Sequence, residues 1–186
     1  MALVLDGSAT VKIIDNTKVF QDVQPVDHWA EDAIAFVSSR ELFNGKTADT
    51  FAPNDPTTRA QLMTVLARMD GADTTGAALE KGMEWAVETG VSDGTNPSGT
   101  ITRQQLAAML YRYAQQNGEG FEGQWAFRLD YPDADKVSDY AYEALCWCTM
   151  NGIVNGKADG TLDPNGLATR AQVAAMVQRF CNTQMK

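Results

Sequence analysis

The sequence predicts an all-α chain with long loops, in which one helical unit occurs three times. The strings TTRAQLMTVLARM (57–69), ITRQQLAAMLYRY (101–113) and ATRAQVAAMVQRF (168–180) are near copies of one another. Each opens with a helix-capping signature and continues with apolar residues at helical spacing. Self-similarity of this kind marks a repeat architecture.

The capping signature is a threonine followed three residues later by glutamine: Thr58 with Gln61, Thr102 with Gln105, Thr169 with Gln172. The hydroxyl accepts one orphan helix N–H and the glutamine reaches back to another. Behind each cap the apolar stripe runs Leu62, Val65, Leu66, Met69, then Leu106, Met109, Leu110, Tyr113, then Val173, Met176, Val177, Phe180. That i, i+3, i+4, i+7 spacing puts one face of each helix against a core.

The rest of the unit follows in order. Residues 1–18 contain SATVKII, whose β-branched content suits a strand end or linker, and are assigned to a linker or the end of a preceding domain. Residues 19–69 form the first unit: an aromatic-led helix with Trp29, Ala33, Phe36 and Val37 on one face, an Asn44-Gly45-Lys46 turn, a loop closed by Phe51 and Pro53, and the capped helix. Asn-Gly is read as a turn because both residues tolerate positive φ. Adding 111 carries this unit onto residues 132–186: Trp29 onto Tyr140, Asn44-Gly45-Lys46 onto Asn155-Gly156-Lys157, Phe51 onto Leu162, Pro53 onto Pro164 and Arg59 onto Arg170. Residues 70–116 are a shortened middle copy, with Met83, Trp85 and Ala86 in place of Ile34, Phe36 and Val37, Ser92-Asp93-Gly94 as its turn and the apolar-x-Pro closure expected to be missing. Residues 117–131, rich in glycine and aromatics, are an inserted loop.

The arginines raise the functional question. Arg68, Arg112 and Arg179 fall near helix C-termini, where the dipole favours a cation. Arg59, Arg103 and Arg170 fall at the first helical position, where the same dipole opposes them. Free N–H groups at a helix start form an anion site, and a guanidinium beside them adds a two-pronged grip on a carboxylate or phosphate. A structural ion pair or inter-unit contact is the competing account. If these arginines serve a ligand, Arg59→Ala leaves stability nearly unchanged, and Arg103 matters least because its own copy lacks the turn that completes a groove.

Composition excludes several classes. A formal charge of −9 and a pI near 4.5 argue against nucleic acid as a partner. No run approaches the length of a membrane span, so membrane insertion is not expected. The opening MALVLDG lacks the basic start and apolar core of a signal peptide, so an exported protein makes this chain an excised piece. Cys146, Cys148 and Cys181 have no metal-type spacing and read as buried, unpaired thiols. An EF-hand loop beginning at Asp159 needs glycine where Pro164 stands and glutamate where Arg170 stands, so no metal is expected. One histidine, His28, and no nucleophile motif leave no catalytic residues and no cofactor to assign. His28 itself reads as a surface residue.

The string FQDV…HWAEDAIAFVSSRELFNGK…FAPNDPTTRAQL, and its counterpart from Tyr131 onward, resemble the S-layer homology repeat. The resemblance covers roughly residues 19 to 183. It implies a pseudo-threefold, three-pronged helical bundle, exported by bacteria, that holds a longer protein on the cell surface. Grooves between the prongs of such domains bind secondary cell-wall polysaccharide, commonly bearing a pyruvate ketal. The resemblance implies ligand-binding roles for Arg59, Arg103 and Arg170. Trp29 and Tyr140 are candidates for a sugar ring face, with core packing as the alternative for each. Lys46 and Lys157 are candidates for a second cation, with plain solvation as the alternative. Asp22 and Asp133 offer carboxylates to hydroxyls or brace the turn before each first helix. Gln61, Gln105 and Gln172 depart from the glutamate of the family. The rival reading is a protein-interaction or scaffold module in which the arginines are structural.

Overall fold

The computed structural model describes residues 15–23, 28–123 and 127–184. Most of the 1–18 segment, and residues 124–126 of the 117–131 loop, lie outside them. Six helices form, in the order α1 (Glu31–Ser39), α2 (Arg59–Met69), α3 (Ala78–Glu88), α4 (Arg103–Gln116), α5 (Asp139–Met150) and α6 (Arg170–Gln184). A single 3₁₀ turn, Ala134–Lys136, precedes α5. The described residues contain no strand or sheet, and the chain is all-α.

The capping boxes form at all three expected places. Thr58, Thr102 and Thr169 hydroxyls each accept the N–H three residues on at 3.3 Å, and the glutamine carbonyls accept the threonine N–H groups at 3.0 to 3.2 Å. Behind them Leu62, Leu66, Leu106, Leu110, Val173 and Val177 are fully buried. The aromatic ends of two stripes meet, with Tyr113 and Phe180 ring centroids 5.7 Å apart. Cys146 and Cys148 are buried and Cys181 is half-buried, and all three are free thiols.

The helices pair across units rather than within them. α2 packs on α3, α4 on α5, and α6 returns to α1. In the α2/α3 pair the approach is closest at Gly82, where a Cβ would lie 2.6 Å from the Thr64 Cα. The Thr64 hydroxyl there donates to the Ala78 carbonyl at 3.1 Å. Counting by the repeat, the corresponding residues are Ala33 with Ala175 and Ala144 with Ala108. The α2/α3 contact thus trades two alanines for a glycine and a threonine, a nearly volume-conserving exchange of the kind packed interiors tolerate.

A ring of three backbone hydrogen bonds closes the arrangement. Thr57 N–H donates to the Ala168 carbonyl at 3.0 Å, Ala168 to Ile101 at 2.9 Å, and Ile101 back to Thr57 at 2.9 Å. These residues immediately precede the three caps, and all are fully buried. Hydrogen bonds of this cyclic kind make the three helix pairs pseudo-threefold related. One defect sits on the axis: the Thr57 hydroxyl is buried without a partner.

An unsatisfied buried hydroxyl costs free energy that an apolar isostere does not. Thr57→Val keeps the branched shape and both backbone bonds, and is expected to raise stability by ~1 kcal/mol. Urea denaturation of the two proteins checks this; a loss of stability would show that the hydroxyl is satisfied in solution.

Candidate functional site

The starts of α2, α4 and α6 have no free N–H groups to offer an anion. The first N–H of each helix donates to the neighbouring unit: Arg59 to Gly99, Arg103 to Gly166 and Arg170 to Asp55, all at 2.9 Å. The second does the same, from Ala60 to Pro97, Gln104 to Pro164 and Ala171 to Pro53. The third is taken by the capping threonine. An anion site made of bare helix-start N–H groups is therefore ruled out, because the loops of the next unit occupy them.

The guanidinium groups follow their backbones across the same boundary. Arg103 donates from Nε to the Leu162 carbonyl at 2.8 Å and from Nη2 to the Asn155 carbonyl at 3.0 Å. Arg170 makes the equivalent pair with Phe51 and Asn44, both at 2.7 Å. Arg59 donates to the Thr95 carbonyl at 2.9 Å and, through Nη2, to the Ser92 hydroxyl and the Asp93 carboxylate. Each arginine clasps a loop at its first turn and its closure, and these carbonyls offset the adverse helix dipole. Burial lowers the Arg103 guanidinium from its ordinary value and lowers Arg170 to about 10. The Arg170 guanidinium also lies over the rings of Phe43 and Phe51, at 4.2 and 4.5 Å.

Because the clasp reaches forward, the expectation that Arg103 meets the shortened turn is corrected. Arg103 holds the complete 155–162 loop; Arg59 meets the shortened one. The closure of that shortened loop is also more intact than expected. Ala52, Asn96 and Asp163 all have positive φ, of 59°, 47° and 51°, and each precedes a proline that stands five residues before a capping threonine. The middle copy keeps Pro97 and replaces only the apolar residue, with Thr95. The Asn-Gly turns differ from expectation too, since neither Asn44, Gly45, Asn155 nor Gly156 has positive φ. Glycine is required there by close approach: a Cβ on Gly45 would stand 2.5 Å from the Phe20 ring, and one on Gly156 2.7 Å from the Tyr131 ring.

Asp22 and Asp133 brace the closure after the first helix rather than the turn before it. Asp22 accepts the Phe51 and Ala52 N–H groups at 2.9 and 2.6 Å, and Asp133 accepts those of Leu162 and Asp163 at 2.8 Å each. Burial opposes the Asp133 charge, but the two N–H donors outweigh it and hold the carboxyl below its ordinary value. Lys46 pairs with Asp55, and Lys157 with Asp163 at 2.9 Å. Trp29 and Tyr140 are 62% and 53% exposed, so neither is a core residue. His28 is half-buried: it stacks on Trp29 with centroids 5.8 Å apart and accepts the Ala30 N–H, which holds the indole outward.

Of the candidate residues, Trp29, Arg103 and Lys157 meet in a cleft of about 420 Å³; Tyr140, Lys46, Asp22, Asp133, Arg59 and Arg170 do not line it. Trp29 of the first unit forms one wall, Arg103 of the second the floor, and Asn155, Lys157, Met176 and Arg179 of the last unit the other side. The Arg103 Nη1 makes none of the described hydrogen bonds, since Nε and Nη2 serve the loop. Arg179 is a member the sequence reading left to the helix dipole. Its Nη1 donates to the Ile153 carbonyl at 3.4 Å, as Arg68 does to Leu42 and Arg112 to Val91. The signal for this second trio is its recurrence ten residues after each capping threonine, which the dipole alone does not demand. The pseudo-equivalent position of Trp29 is held by Tyr140. Burial raises the Tyr140 phenol, while Arg112 and Arg59 lie near enough to pull it the other way.

Two segments of the chain match one family model, at residues 19–63 and 130–174. The model is that of the S-layer homology domain. The matched segments carry Trp29, Tyr140, both complete loops, Arg59 and Arg170. Similarity to curated proteins runs through the region between them as well. The chain is 26% identical over 182 residues to an amylopullulanase of Thermoanaerobacterium thermosulfurigenes, covering 86% of this chain and 9% of that protein. It is 29% identical over 179 residues to an endoglucanase of Bacillus sp. (strain KSM-635), covering 87% and 18%. It is 31% identical over 111 residues to the S-layer protein sap of Bacillus anthracis, covering 50% and 13%. The chain thus spans less than a fifth of the length of these relatives. No helix among the described residues is long and apolar enough to cross a membrane, and no group of three or more potential metal ligands occurs among them.

The clasp of these arginines has a measurable cost. Arg170→Ala leaves two loop carbonyls without donors and is expected to destabilise by ~2–5 kcal/mol, with lysine restoring little. Arg59→Ala, whose partners Asp93 and Thr95 reach water, is expected to cost less, ~0.5–2 kcal/mol. Urea melts of the three variants test the order; an Arg170→Ala as stable as wild type would remove the clasp from the account. Asp133 adds a pH signature. Its depressed folded pKa contributes stability above the ordinary carboxyl range that is lost as pH falls through the folded value, so the stability gap between wild type and Asp133→Asn should close below about pH 4.

Proposed function

We propose that the chain is a noncatalytic module that anchors a longer bacterial surface protein to the cell wall by binding an acidic wall polysaccharide, such as a pyruvylated one. The observation that carries this is the Trp29 cleft, where an exposed indole faces Arg103, Lys157 and Arg179. A pyruvate ketal offers one carboxylate on a rigid ring, so cations on one side and an aromatic face on the other match its two ends. The relatives support the anchoring part. One similar stretch occurs in proteins named for different enzyme activities and in S-layer proteins, and what such proteins share is more readily a place than a reaction. On this reading the module acts outside the cell and its partners are the wall polymer and the remaining domains of the longer protein. Residues 70–116 then form a third, divergent repeat beside 19–69 and 132–186. Its capping box, its Asn96-Pro97 closure and its place in the three-membered backbone ring support that division.

The test separates the carboxylate from the ring. Isothermal calorimetry with purified wall polymer, before and after removal of its pyruvate, is expected to show binding at least about tenfold weaker after removal, the worth of one charge-assisted hydrogen bond. Lys157→Gln, which leaves both arginine clasps untouched, should weaken binding of the pyruvylated polymer by a similar factor and barely alter the other. Trp29→Ala should weaken both. Equal affinity for the two polymers would sink the acidic-glycan reading, and capture of protein rather than polymer from wall extracts would favour a scaffold.

A further inference from the structure

The sequence holds five Asn-Gly pairs, at 44–45, 117–118, 151–152, 155–156 and 165–166. Asparagine is chemically labile, and most so before glycine, whose missing Cβ leaves its nitrogen unhindered. We propose that Asn44 and Asn155 are modification sites at which the chain deamidates itself, promoted by the arginine that clasps each turn.

Hydrogen bonding divides the five pairs into two groups. The Asn117 and Asn151 amides donate to the Tyr113 and Trp147 carbonyls at 3.0 and 2.9 Å, and the Gly118 and Gly152 N–H groups to Gln115 and Thr149, both at 3.1 Å. Asn165 accepts from Gln104 at 2.7 Å and donates to the Lys136 carbonyl at 3.3 Å, while the Gly166 N–H donates to the Asp163 carbonyl at 3.1 Å. In these three pairs both reacting groups are held. Asn44 and Asn155 are exposed, and neither their amides nor the N–H groups of Gly45 and Gly156 make any of the described hydrogen bonds. What is held instead is the peptide oxygen between the two residues. Arg170 Nη2 donates to the Asn44 carbonyl at 2.7 Å, and Arg103 Nη2 to the Asn155 carbonyl at 3.0 Å.

That oxygen belongs to the same peptide unit as the glycine nitrogen. When the Gly156 N–H loses its proton to water, the negative charge spreads onto the Asn155 oxygen, where the guanidinium stabilises it. The nitrogen then attacks Asn155 Cγ: the N–Cγ bond forms, the Cγ–Nδ2 bond breaks, and Nδ2 takes a proton from solvent and leaves as ammonia. Water opens the resulting succinimide at one of its two carbonyls and returns a proton to the nitrogen. Opening at Cγ leaves aspartate. Opening at the carbonyl that Arg103 grips leaves isoaspartate, whose free α-carboxylate faces the guanidinium. The middle loop shows that a carboxylate at this position fits the fold, since Asp93 there accepts from Arg59 Nη2 at 3.0 Å. Asn155 lines the Trp29 cleft together with Arg103, Lys157 and Arg179, so its modification places a negative charge among cations. A further consequence, which rests on the reading of that cleft as an acidic-glycan site, is that the hold on the wall weakens as the protein ages.

Peptide mapping by mass spectrometry follows each site while the whole chain is incubated in mildly alkaline buffer, folded and in guanidinium chloride. Residues 44 and 155 are expected to deamidate at least about tenfold faster folded than unfolded, the effect of lowering the glycine N–H pKa by about one unit. Residues 117, 151 and 165 should react more slowly folded than unfolded. Arg103→Gln should bring residue 155 to its unfolded rate and leave residue 44 unchanged. Slower reaction of residues 44 and 155 in the folded chain than in denaturant, or an unchanged rate at residue 155 in Arg103→Gln, would overturn the inference. For the consequence, Asn155→Asp is expected to bind the pyruvylated polymer about tenfold more weakly in calorimetry, and equal affinity would remove it. Failure of the wild type to bind at all would strike the glycan reading, whereas the mass measurement decides the deamidation by itself.

Discussion

The structure depends on an arginine placed where a helix disfavours it. At the first position of α2, α4 and α6 a cation faces the positive end of the dipole, a modest penalty of ~0.3–1 kcal/mol. Arg103 and Arg170 each remove two loop carbonyls of the next unit from the list of unpaired acceptors and Arg59 removes one, and an unpaired buried acceptor costs ~1–3 kcal/mol. The second effect wins. It also explains why the helix starts bind no outside anion: the N–H groups behind the same arginines are already donating to the same neighbouring loop. Because every unit gives its arginine forward and receives one from behind, the connections run in a circle with no free end.

Much of this was legible in the residues, and what was not has a definite cause. The capped helices and their stripes follow from local chemistry, since a Thr-x-x-Gln box and a 3.6-residue period act within one helix, and both formed where expected. The 111-residue offset likewise placed Trp29 and Tyr140, Lys46 and Lys157, and Asp22 and Asp133 at equivalent positions. Periodicity does not say whether Arg103 serves its own loop or the next one, because a repeat looks the same under either connection. That ambiguity is why Arg103 was assigned the weak groove when the shortened loop belongs to Arg59. The glycines of the Asn-Gly turns were read from their commonest use, positive φ, when the constraint was a ring edge of Phe20 or Tyr131 arriving from distant sequence. Pro97 was visible throughout, five residues before Thr102 like its two counterparts, and was hidden only by the absence of an apolar residue two positions earlier.

Stability draws on the backbone atoms of these loops. The clasp uses backbone carbonyls, the aspartate brace at Asp133 uses backbone N–H groups, and the axial ring uses backbone alone. Side chains at the turn are therefore free to differ: Asn44, Asp93 and Asn155 occupy one position without breaking the circle. Arg103 is the exception, since it holds the loop with two nitrogens and lines the Trp29 cleft with a third. A substitution there disturbs the fold and the cleft together.

This separation accounts for a middle unit that diverges without unfolding its neighbours. Gly82 with Thr64 replaces a pair of alanines at the α2/α3 contact, and Thr95 replaces the apolar closure, yet the first two N–H groups of α2 still find their acceptors in Gly99 and Pro97. The constraint on each unit is thus a small set: a capping threonine, the arginine after it, and a proline with a positive-φ residue before it. Where those are kept, the aromatic, the lysine and the turn carboxylate or amide can be exchanged in one cleft at a time. A ring of three nearly equal scaffolds can in this way carry three unequal surfaces, because Asn44, Asp93 and Asn155 exchange at one turn position while the backbone ring through Thr57, Ile101 and Ala168 stays closed.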